Sequence, residues 1–317
     1  MADQNNLQNK SKEIINTKDT LTTKVGQVSI IGKPNAGKST LLNSILGVKL
    51  SIVTHKPQTT RKRVLGIYSD EKKQIIFVDT PGIIKPKYEM QSIMMDYVNK
   101  SLEETDVILV LVDLSKYKSD SDYFHSDVIQ KIVSAKKPVI LLLNKIDVFE
   151  DVKDTLPIIA KFQSTGIYNE IIPISARKTA NIDVVLDIIE KYIPLSPMLF
   201  DEETLSTQNE RFFVSELIRE HIFLKYAEEI PYSAEVVITE FKEREIGKWY
   251  IAAEIVVEKK NQKMIMIGKN GDKIKLLGEK ARKSIEEHLQ TPVYLELFVK
   301  VRDNWRENPN LLKSYGY

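Results

Sequence analysis

The sequence predicts an α/β domain, with a mostly parallel sheet and helices on both faces, followed by a smaller α+β domain. Between Val25 and Tyr192, short apolar runs alternate with helical patterns, as the crossover connections of a parallel sheet require. After a proline-containing stretch, the order changes to grouped strands and helices. The 317 residues also provide enough chain for two cores of ordinary size.

Composition narrows the class of protein. With 42% hydrophobic and 28% charged residues, the chain has the usage of a folded globular protein. The net charge of +2 means that any binding of nucleic acid must come from local clusters of basic residues. The absence of cysteine excludes disulfides, thiol catalysis and cysteine-ligated zinc, and we expect a reducing, cytoplasmic location.

We expect neither a membrane span nor a targeting segment. The longest apolar runs, Val107–Val112 and Pro138–Leu143, are far shorter than the roughly 18 residues that a span needs. Residues 1–24 are rich in Asn, Gln, Lys and Thr and contain no apolar segment and no arginine. They are predicted to be a flexible N-terminal extension rather than a secretory signal or transit peptide.

The first domain is expected over residues 25–192. It begins with an apolar run at Val28–Ile31, a glycine-containing loop, and helical spacing over Ser39–Leu46, which together predict a strand, loop and helix. Further strands are predicted at Val64–Tyr68, Gln74–Val78, Val107–Val112, Val139–Leu143 and Ile171–Ile174. Further helices are predicted around Met90–Glu104, Asp122–Ser134, Val152–Gln163 and Ile182–Tyr192.

A linker and a second domain are expected after Tyr192. Residues 193–210 contain two prolines and no hydrophobic period, which predicts a linker. The second domain, residues 211–317, is predicted to hold helices at Phe212–Glu228 and Ile274–His288 and strands at Ala234–Phe241, Trp249–Val257 and Val293–Val301. In its first helix, Glu220 is expected to lie on a solvated face.

A phosphate-binding loop is predicted between the first strand and the first helix. Gly32-Lys-Pro-Asn-Ala-Gly37-Lys38-Ser39 matches G-x-x-x-x-G-K-[ST], whose backbone N–H groups and helix N-terminus surround phosphate oxygens. Lys38 is expected to reach the β- and γ-phosphates, and Ser39 to offer its hydroxyl to Mg²⁺. The nucleotide contacts predicted from this loop are Gly32, Asn35, Ala36, Gly37, Lys38, Ser39 and Thr40.

A carboxylate for the magnesium shell follows the predicted strand Gln74–Val78. Asp79-Thr-Pro-Gly82 begins at the carboxyl end of that strand, near the expected phosphates. Asp79 is predicted to act in the second shell of Mg²⁺, and Gly82 to bring its N–H to a γ-phosphate.

Two further segments predict selection of guanine. Asn144-Lys145-Ile-Asp147 follows a buried strand, and the Asp147 carboxylate can accept from guanine N1–H and N2–H₂, a pair of donors that adenine lacks. Ser175-Ala176 follows the next strand and is positioned for a backbone N–H to guanine O6. Together these residues favour GTP or GDP over adenine nucleotides.

With these motifs in this order, the first 200 residues resemble the translation-factor-like P-loop GTPases. The resemblance implies a first switch threonine that binds Mg²⁺ and the γ-phosphate; we take Thr60, with Thr59 as the alternative. Lys38, Thr60 and Gly82 are then the expected catalytic groups. The chain has Ile83 where Ras-like proteins have a glutamine that orients water, so we expect slow intrinsic hydrolysis.

Asn35 suggests how the negative charge that develops during GTP hydrolysis could be stabilised. Pro34-Asn35 resembles the loop of GTPases in which an asparagine at this place helps to hold a monovalent ion near the β- and γ-phosphates. The resemblance implies K⁺ as an activating ion, which we keep as a hypothesis. The alternative is that Asn35 only shapes the loop.

A nucleic-acid site is predicted in the second domain. Gly268-Lys-Asn-Gly271 precedes a predicted helix, and residues 259–283 carry nine basic and two acidic side chains. Small glycines allow a phosphodiester backbone to approach the main chain, and the charge attracts it. The predicted RNA contacts are Ile267, Gly268, Lys269, Asn270, Gly271, Lys273, Ile274 and Lys275.

The combination of this GTPase domain, with Pro57-Gln-Thr-Thr-Arg61, and a C-terminal KH module resembles the Era GTPases over residues 25–317. The resemblance implies a type II KH domain that grips the single-stranded 3′ end of small-subunit ribosomal RNA during subunit assembly, under control of GTP. Two alternatives stay open: an RNA-binding assembly protein with negligible turnover, and a regulator peripheral to the cytoplasmic membrane.

Overall fold

The computed structural model describes residues 23–117 and 126–317. Almost all of the predicted N-terminal extension, residues 1–24, lies outside the described residues, and so does the first part of the predicted helix Asp122–Ser134. The element bounds below refer to the described part of the chain.

The first sheet has six strands in the order β2-β3-β1-β4-β5-β6. Strand β2 is antiparallel to β3, and every other neighbouring pair is parallel. The strands are β1 Lys24–Gly32, β2 Val64–Ser69, β3 Lys73–Asp79, β4 Val107–Asp113, β5 Val139–Asn144 and β6 Glu170–Ile174. All residues of β3, β4 and β5 are buried, which is typical of a parallel sheet covered on both faces and explains their continuous apolar runs.

Five α-helices pack against this sheet: α1 Lys38–Leu46, α2 Glu89–Glu104, α3 Ser126–Ser134, α4 Leu156–Gln163 and α5 Ile182–Tyr192. The predicted helix Val152–Gln163 is divided into a 3₁₀ turn, Val152–Thr155, and α4. Pro157 lies in the first turn of α4, where its missing N–H breaks no intrahelical hydrogen bond.

The second domain has the order helix, short helix, strand, strand, helix, helix, strand, helix. Its elements are α6 Glu210–Lys225, the short α7 Ile230–Ser233, β7 Glu235–Lys242, β8 Trp249–Val257, α8 Lys260–Ile267, α9 Asp272–Leu289, β9 Val293–Val301 and α10 Pro309–Ser314. Strand β8 is antiparallel to β7 and parallel to β9. The predicted fold class is confirmed, although helices α7, α8 and α10 were not predicted and α6 ends before Glu228.

Residues 193–209 follow the surface of the first domain instead of spanning open solvent. The Gln74 side chain accepts hydrogen bonds from the N–H groups of Leu199 (2.8 Å) and Phe200 (3.0 Å). The Ile67 N–H donates to Leu205 O at 2.9 Å. The predicted linker is therefore held by hydrogen bonds along β2 and β3.

The two domains share a buried cluster. Met90 and Met94 of α2 pack with Val256, Trp305 and Leu312 of the second domain. Trp305 is fully buried and donates its indole N–H to Ser233 O at 2.9 Å.

Glu220 also lies at the contact between the two domains, so the prediction that it lies on a solvated face was wrong. Its carboxylate is 4% exposed and accepts from Lys49 Nζ of the first domain at 2.6 Å. The helical pattern alone could not reveal a partner from another domain.

None of the helices in residues 23–117 and 126–317 has both the length and the apolar character needed to cross a membrane.

Candidate functional site

A cavity of about 710 Å³ lies at the carboxyl edge of the first sheet. The loop between β1 and α1 lines this cavity, together with residues 52–55 and 58–60. Asn144, Lys145, Asp147 and Ala176 also line it. The segments in which the sequence predicts phosphate and guanine binding thus share one cavity.

Gly37 shows why the loop needs a glycine next to the lysine. Its φ of 102° lies in the left-handed region, and a Cβ there would be 2.2 Å from Asn144 Nδ2. The Asn144 amide uses this space to donate to Ala36 O at 2.8 Å and to accept from the Ala176 N–H at 3.0 Å. Asn144 therefore ties the phosphate loop to the predicted guanine end.

Lys38 is buried over the loop. Its Nζ donates to Gly32 O at 3.2 Å and Lys33 O at 3.3 Å. Burial lowers the pKa of Lys38 to about 8, against the opposing effect of the Asp79 charge. A nearby polyphosphate would favour the charged ammonium.

Ser39, Thr60 and Asp79 form a compact oxygen cluster. Ser39 Oγ donates to Asp79 Oδ2 at 2.7 Å, and Thr60 Oγ1 lies 2.9 Å from Ser39 Oγ and 3.3 Å from Asp79 Oδ2. Of the two candidate threonines, Thr60 is the one whose hydroxyl joins this cluster.

The donor set fits Mg²⁺. Burial raises the pKa of Asp79, although Lys38 and the Ser39 hydrogen bond oppose it, and Asp79 Oδ1 is buried without a hydrogen-bond partner among the described residues. A buried carboxylate beside two hydroxyls is the kind of oxygen site that a hard divalent cation takes. Ser39 and Thr60 would hold the ion directly, and Asp79 would act from the second shell.

Gly82 brings the loop after β3 against the phosphate loop. A Cβ on Gly82 would lie 2.8 Å from Pro34 Cγ, and the neighbouring Ile83 N–H donates to Gly32 O at 3.1 Å. The Ile83 side chain packs against the core of the first domain. It offers no polar group to a water molecule.

Asp147 and Ser175, both predicted to bind guanine, are brought together in this cavity region. The Ser175 hydroxyl donates to Asp147 Oδ1 at 2.6 Å, which orients the carboxylate. Lys145, with φ of 72°, donates through Nζ to Asp113 Oδ2 at 2.6 Å. Thr40 and Asn35 also line the cavity.

Sequence reasoning missed several residues of this cavity. His55 O accepts from Asn35 Nδ2 at 2.8 Å, and Lys116, Arg177 and Leu224 line the walls. Arg177 directly follows Ser175-Ala176 and could have been found from the sequence. Leu224 belongs to α6 of the second domain, so no local pattern could place it beside a nucleotide.

The predicted nucleic-acid residues cover the end of α8, the loop after it and the first turn of α9. Gly268 (φ 78°), Asn270 (φ 54°) and Gly271 (φ 81°) have left-handed backbone conformations, and a Cβ on Gly271 would meet nothing within 4 Å. Lys269, Asn270, Lys273 and Lys275 are exposed, whereas Ile267 and Ile274 pack against the domain core. Met264 is 67% and Ile265 is 42% exposed beside them.

The fold and cavity define a P-loop GTPase joined to a KH domain. Residues 27–145 match the family described as 50S ribosome-binding GTPase, and residues 229–306 match the KH domain family.

Comparison with known proteins gives the particular family. GTPase Era of Clostridium botulinum is 42% identical over 296 residues, which are 93% of this chain and 98% of that protein. GTPase ERA-like, chloroplastic, of Oryza sativa subsp. japonica is 43% identical over 298 residues, 92% of this chain and 69% of that protein. The chain belongs to the Era GTPase family, and it is an enzyme that hydrolyses GTP to GDP and phosphate.

Two solved structures match across both domains. An Aquifex aeolicus Era variant bound to GDP and AlF₄⁻ matches with a TM-score of 0.88 and 41% identity, over 93% of this chain and 99% of that chain. Era in complex with MgGDPNP and nucleotides 1506–1542 of 16S ribosomal RNA matches with a TM-score of 0.89 and 41% identity, with the same coverage. That second protein binds a guanine nucleotide together with Mg²⁺.

Proposed function

We propose that this GTPase is a switch that binds the single-stranded 3′ end of small-subunit ribosomal RNA through its KH domain and acts in assembly of the small subunit. The observation that carries the proposal is the exposed Gly-x-x-Gly loop with its lysines, on a domain that packs against the walls of the nucleotide cavity. The related Era structure that contains MgGDPNP and 16S ribosomal RNA supports it.

For the nucleotide, we assign the phosphates to the β1–α1 loop and Lys38, and Mg²⁺ to Ser39 and Thr60 with Asp79 behind them. Gly82 senses the γ-phosphate, and Asn144, Lys145, Asp147, Ser175 and Ala176 form the guanine end. GTP and Mg²⁺ order the loops around Thr60 and Gly82, and hydrolysis releases them.

For the RNA, we assign the phosphate backbone to Gly268–Gly271. Their left-handed turns and the N-terminus of α9 present backbone N–H groups at close range. Lys269, Lys273 and Lys275 add charge, and unstacked bases lie against the apolar side chains Ile267 and Ile274 and the exposed Met264. We place the protein in the cytoplasm, with the small ribosomal subunit as its partner.

The test is equilibrium binding of a short RNA with the sequence of that 3′ end, at one salt concentration, to protein loaded with a non-hydrolysable GTP analogue or with GDP. We expect distinctly tighter binding by the analogue-loaded form. Equal binding by both forms would contradict the switch and favour a nucleotide-independent assembly protein.

A double variant tests the RNA surface. Lys269→Asp with Asn270→Asp adds negative charge to two exposed positions and keeps both glycines. We expect a loss of at least about tenfold in RNA affinity, because repulsion replaces attraction at the backbone contact. Asn99→Asp with Lys100→Asp makes the same charge change on α2 of the first domain and is the matched control. Equal RNA affinity in both variants would refute this surface.

Turnover separates the enzyme switch from an assembly protein that uses its nucleotide structurally. We expect GTP hydrolysis to accelerate when the RNA is present. Turnover that remains negligible in the presence of RNA would favour an assembly protein that uses its nucleotide only structurally.

We propose K⁺ as an activating ion at the phosphate loop. The Asn35 amide N–H bonds to His55 O, which leaves its carbonyl oxygen for a monovalent cation near the phosphates. The expected result is faster hydrolysis in K⁺ than in Na⁺ at equal ionic strength. Identical rates would mean that Asn35 only shapes the loop.

Peripheral binding to an anionic membrane is the second candidate, because Met264 and Ile265 are exposed among lysines. Co-sedimentation with vesicles of phosphatidylglycerol and phosphatidylcholine tests it. Retained vesicle binding in the Lys269→Asp, Asn270→Asp variant, with RNA binding lost, would support separate membrane contact; no sedimentation of the native chain would reject it.

A further inference from the structure

We propose that Arg219 of the KH domain is a positioning residue for GTP hydrolysis: it holds the Thr59 carbonyl so that the Thr60 hydroxyl faces Ser39 and Asp79. This inference rests on the proposed roles of Thr60 and Mg²⁺. It would make the nucleotide site incomplete without the docked KH domain.

The guanidinium of Arg219 is held rigidly. Arg219 is 1% exposed on α6, and Glu216, one turn earlier, accepts from its Nε at 2.8 Å and its Nη2 at 2.6 Å. The guanidinium also lies 5.5 Å from the centre of the Phe223 ring. A bidentate pair of this kind fixes both the position and the plane of the group.

From this position Arg219 reaches into the first domain. Its Nη2 donates to Thr59 O. Because the peptide group is planar, fixing the Thr59 carbonyl also fixes the orientation of the bond that leads into Thr60. The Thr60 hydroxyl then lies on the cavity side, 2.9 Å from Ser39 Oγ.

The chain on both sides of Thr59 is anchored to the same domain. Lys56 Nζ donates to the carbonyls of Phe223 and Tyr226 at the C-terminal end of α6. Arg61 is 2% exposed and donates to Ala234 O at 2.8 Å and Glu235 Oε2 at 3.0 Å. Arg219 supplies the central contact, next to the residue that faces the metal site.

The stability of the fold alone does not explain an arginine at position 219. Arg219 Nη1 is buried without a hydrogen-bond partner among the described residues, and a buried unpaired donor is destabilising. An apolar side chain of similar length could fill this space, but it could not hold the Thr59 carbonyl.

The contact predicts a selective effect on catalysis. A switch threonine acts only when the γ-phosphate and Mg²⁺ are present, whereas GDP is held by the phosphate loop and the guanine end. Misplacing Thr60 should therefore lower kcat and weaken binding of a GTP analogue while GDP affinity stays the same. Errors of about 1 Å in such groups cost up to roughly a hundredfold in rate.

The experiment uses the full chain without RNA and compares Arg219→Met, Arg219→Lys and the control Arg211→Met. Arg211 lies on the same helix, is exposed, and contacts Phe241 rather than the switch. Measured quantities are kcat and KM for GTP, the Kd for GDP and for a non-hydrolysable GTP analogue, and the Mg²⁺ concentration needed for half-maximal rate.

We expect Arg219→Met to lower kcat about 10- to 100-fold and to raise the Mg²⁺ requirement, with the Kd for GDP changed less than about twofold. Arg219→Lys keeps a donor and should recover part of the rate. Arg211→Met should match the native chain. An Arg219→Met protein that folds and has native kcat would overturn the proposal.

If Arg219→Met fails to fold, Glu216→Gln decides the question, because it leaves the guanidinium present but less firmly oriented. A lower kcat with native GDP affinity supports positioning, and an unchanged kcat refutes it. The RNA-binding experiment is independent of this one. If RNA affinity does not depend on the bound nucleotide, the proposed RNA switch is refuted, whether or not Arg219→Met lowers kcat.

Discussion

Asn144 shows how one polar side chain can organise a binding site. Its amide N–H bonds to Ala36 O, and its oxygen accepts from the N–H groups of Lys145 (2.8 Å) and Ala176 (3.0 Å). With 2% exposure, it is both a buried polar group with its hydrogen bonds made and the link between three loops. A loss of nucleotide binding on replacing Asn144 would therefore report on loop geometry.

Asp147 offers a cleaner test of base selection. In Asp147→Asn, an NH₂ donor would face the guanine N1–H and N2–H₂ donors, and two charge-assisted hydrogen bonds would be lost. We expect GDP affinity to fall at least about a hundredfold, since hydrogen bonds to charged groups contribute roughly 1.5–3 kcal/mol each. Binding of GDP and xanthosine diphosphate by calorimetry measures the effect.

Xanthine carries a carbonyl where guanine carries the 2-amino group, so Asp147→Asn should gain affinity for it. Asp151→Asn, whose carboxylate caps the turn at Lys153, is the nearby control. Native selectivity in Asp147→Asn would contradict the assignment of the guanine end.

Glu235 predicts how the domain contact depends on pH. Burial alone would raise its pKa, but the charges of Lys62, Arg61 and Arg219 and the hydrogen bond from the Tyr317 hydroxyl outweigh burial and lower the pKa below its usual 4.5. A depressed carboxyl pKa stabilises the folded state above the unfolded-state pKa, and that stability is lost as pH falls through the folded-state pKa.

We therefore expect Glu235→Gln to unfold at a lower temperature than the native chain at neutral pH, because buried arginines lose their anion, at a cost of about 3–5 kcal/mol. The difference should begin to shrink below about pH 4.5, where Glu235 of the unfolded chain takes up a proton, and the stabilisation by Glu235 is lost as pH falls through its lower folded-state pKa. Melting temperatures from pH 7 to pH 3 measure it. A constant difference across that range would contradict the assigned pKa shift.

At the scale of elements, the segment between α5 and α6 is tied to β3 by one residue. Gln74 is fully buried, and besides accepting from Leu199 and Phe200 it donates to Phe200 O at 2.8 Å and Ser69 Oγ at 3.0 Å. The proline-containing composition predicted a linker, but the hydrogen bonds fix its first half to the sheet.

Gln74→Leu should loosen that segment at Leu199 and Phe200, while the hydrogen bond from the Ile67 N–H to Leu205 O still holds its second half. The backbone groups of Leu199 and Phe200 would lose their partners, and we expect a loss of about 2–3 kcal/mol in unfolding free energy and faster proteolysis within residues 193–209. Limited proteolysis with mass spectrometry measures the cleavage sites. Gln163→Leu, at an exposed position of α4, should be cleaved like the native chain; equal cleavage of both variants would refute the anchoring role.

At the scale of the molecule, the second domain contacts the parts of the first that meet the nucleotide. Lys56, Thr59 and Arg61 bond to it before β2, and Met90 and Met94 pack on it after the loop that contains Gly82. Two separate contacts therefore join the regions expected to change with GTP to the domain expected to bind RNA. Any energetic coupling through them acts equally in both directions.

Trp305 tests whether the domains unfold together. We expect the native chain to show one calorimetric unfolding transition. A bound GTP analogue should raise the melting temperature of that single transition. Trp305→Ala removes a fully buried ring from the shared cluster, at a cost of about 3–5 kcal/mol, and should split the transition. The analogue should then raise the melting temperature of the first domain and leave that of the second domain unchanged.

Trp249→Ala is the control, because Trp249 is half-buried on β8, packs on Phe241, and does not belong to the shared cluster. It should destabilise the chain and keep a single transition. A single transition in Trp305→Ala would show that this cluster does not couple the domains.

The sequence by itself determined the fold class, the family, and the motifs of both sites. The motifs are short segments whose conformation and chemistry depend on neighbours in the chain: Gly32–Ser39, Asp79–Gly82 and Gly268–Gly271. Strands that are buried on both faces likewise show as continuous apolar runs in the sequence. Information of this kind is local, so it can be read without coordinates.

Only the tertiary structure decided what depends on distant contacts. It placed the Thr60 hydroxyl, rather than that of Thr59, beside Ser39, paired Glu220 with Lys49, and set Arg219 against a carbonyl 160 positions away. A buried charge and a solvated one look alike in a helical pattern, because their difference lies in a partner from another domain. The coupling that we propose between the two sites would therefore depend on packing between the domains.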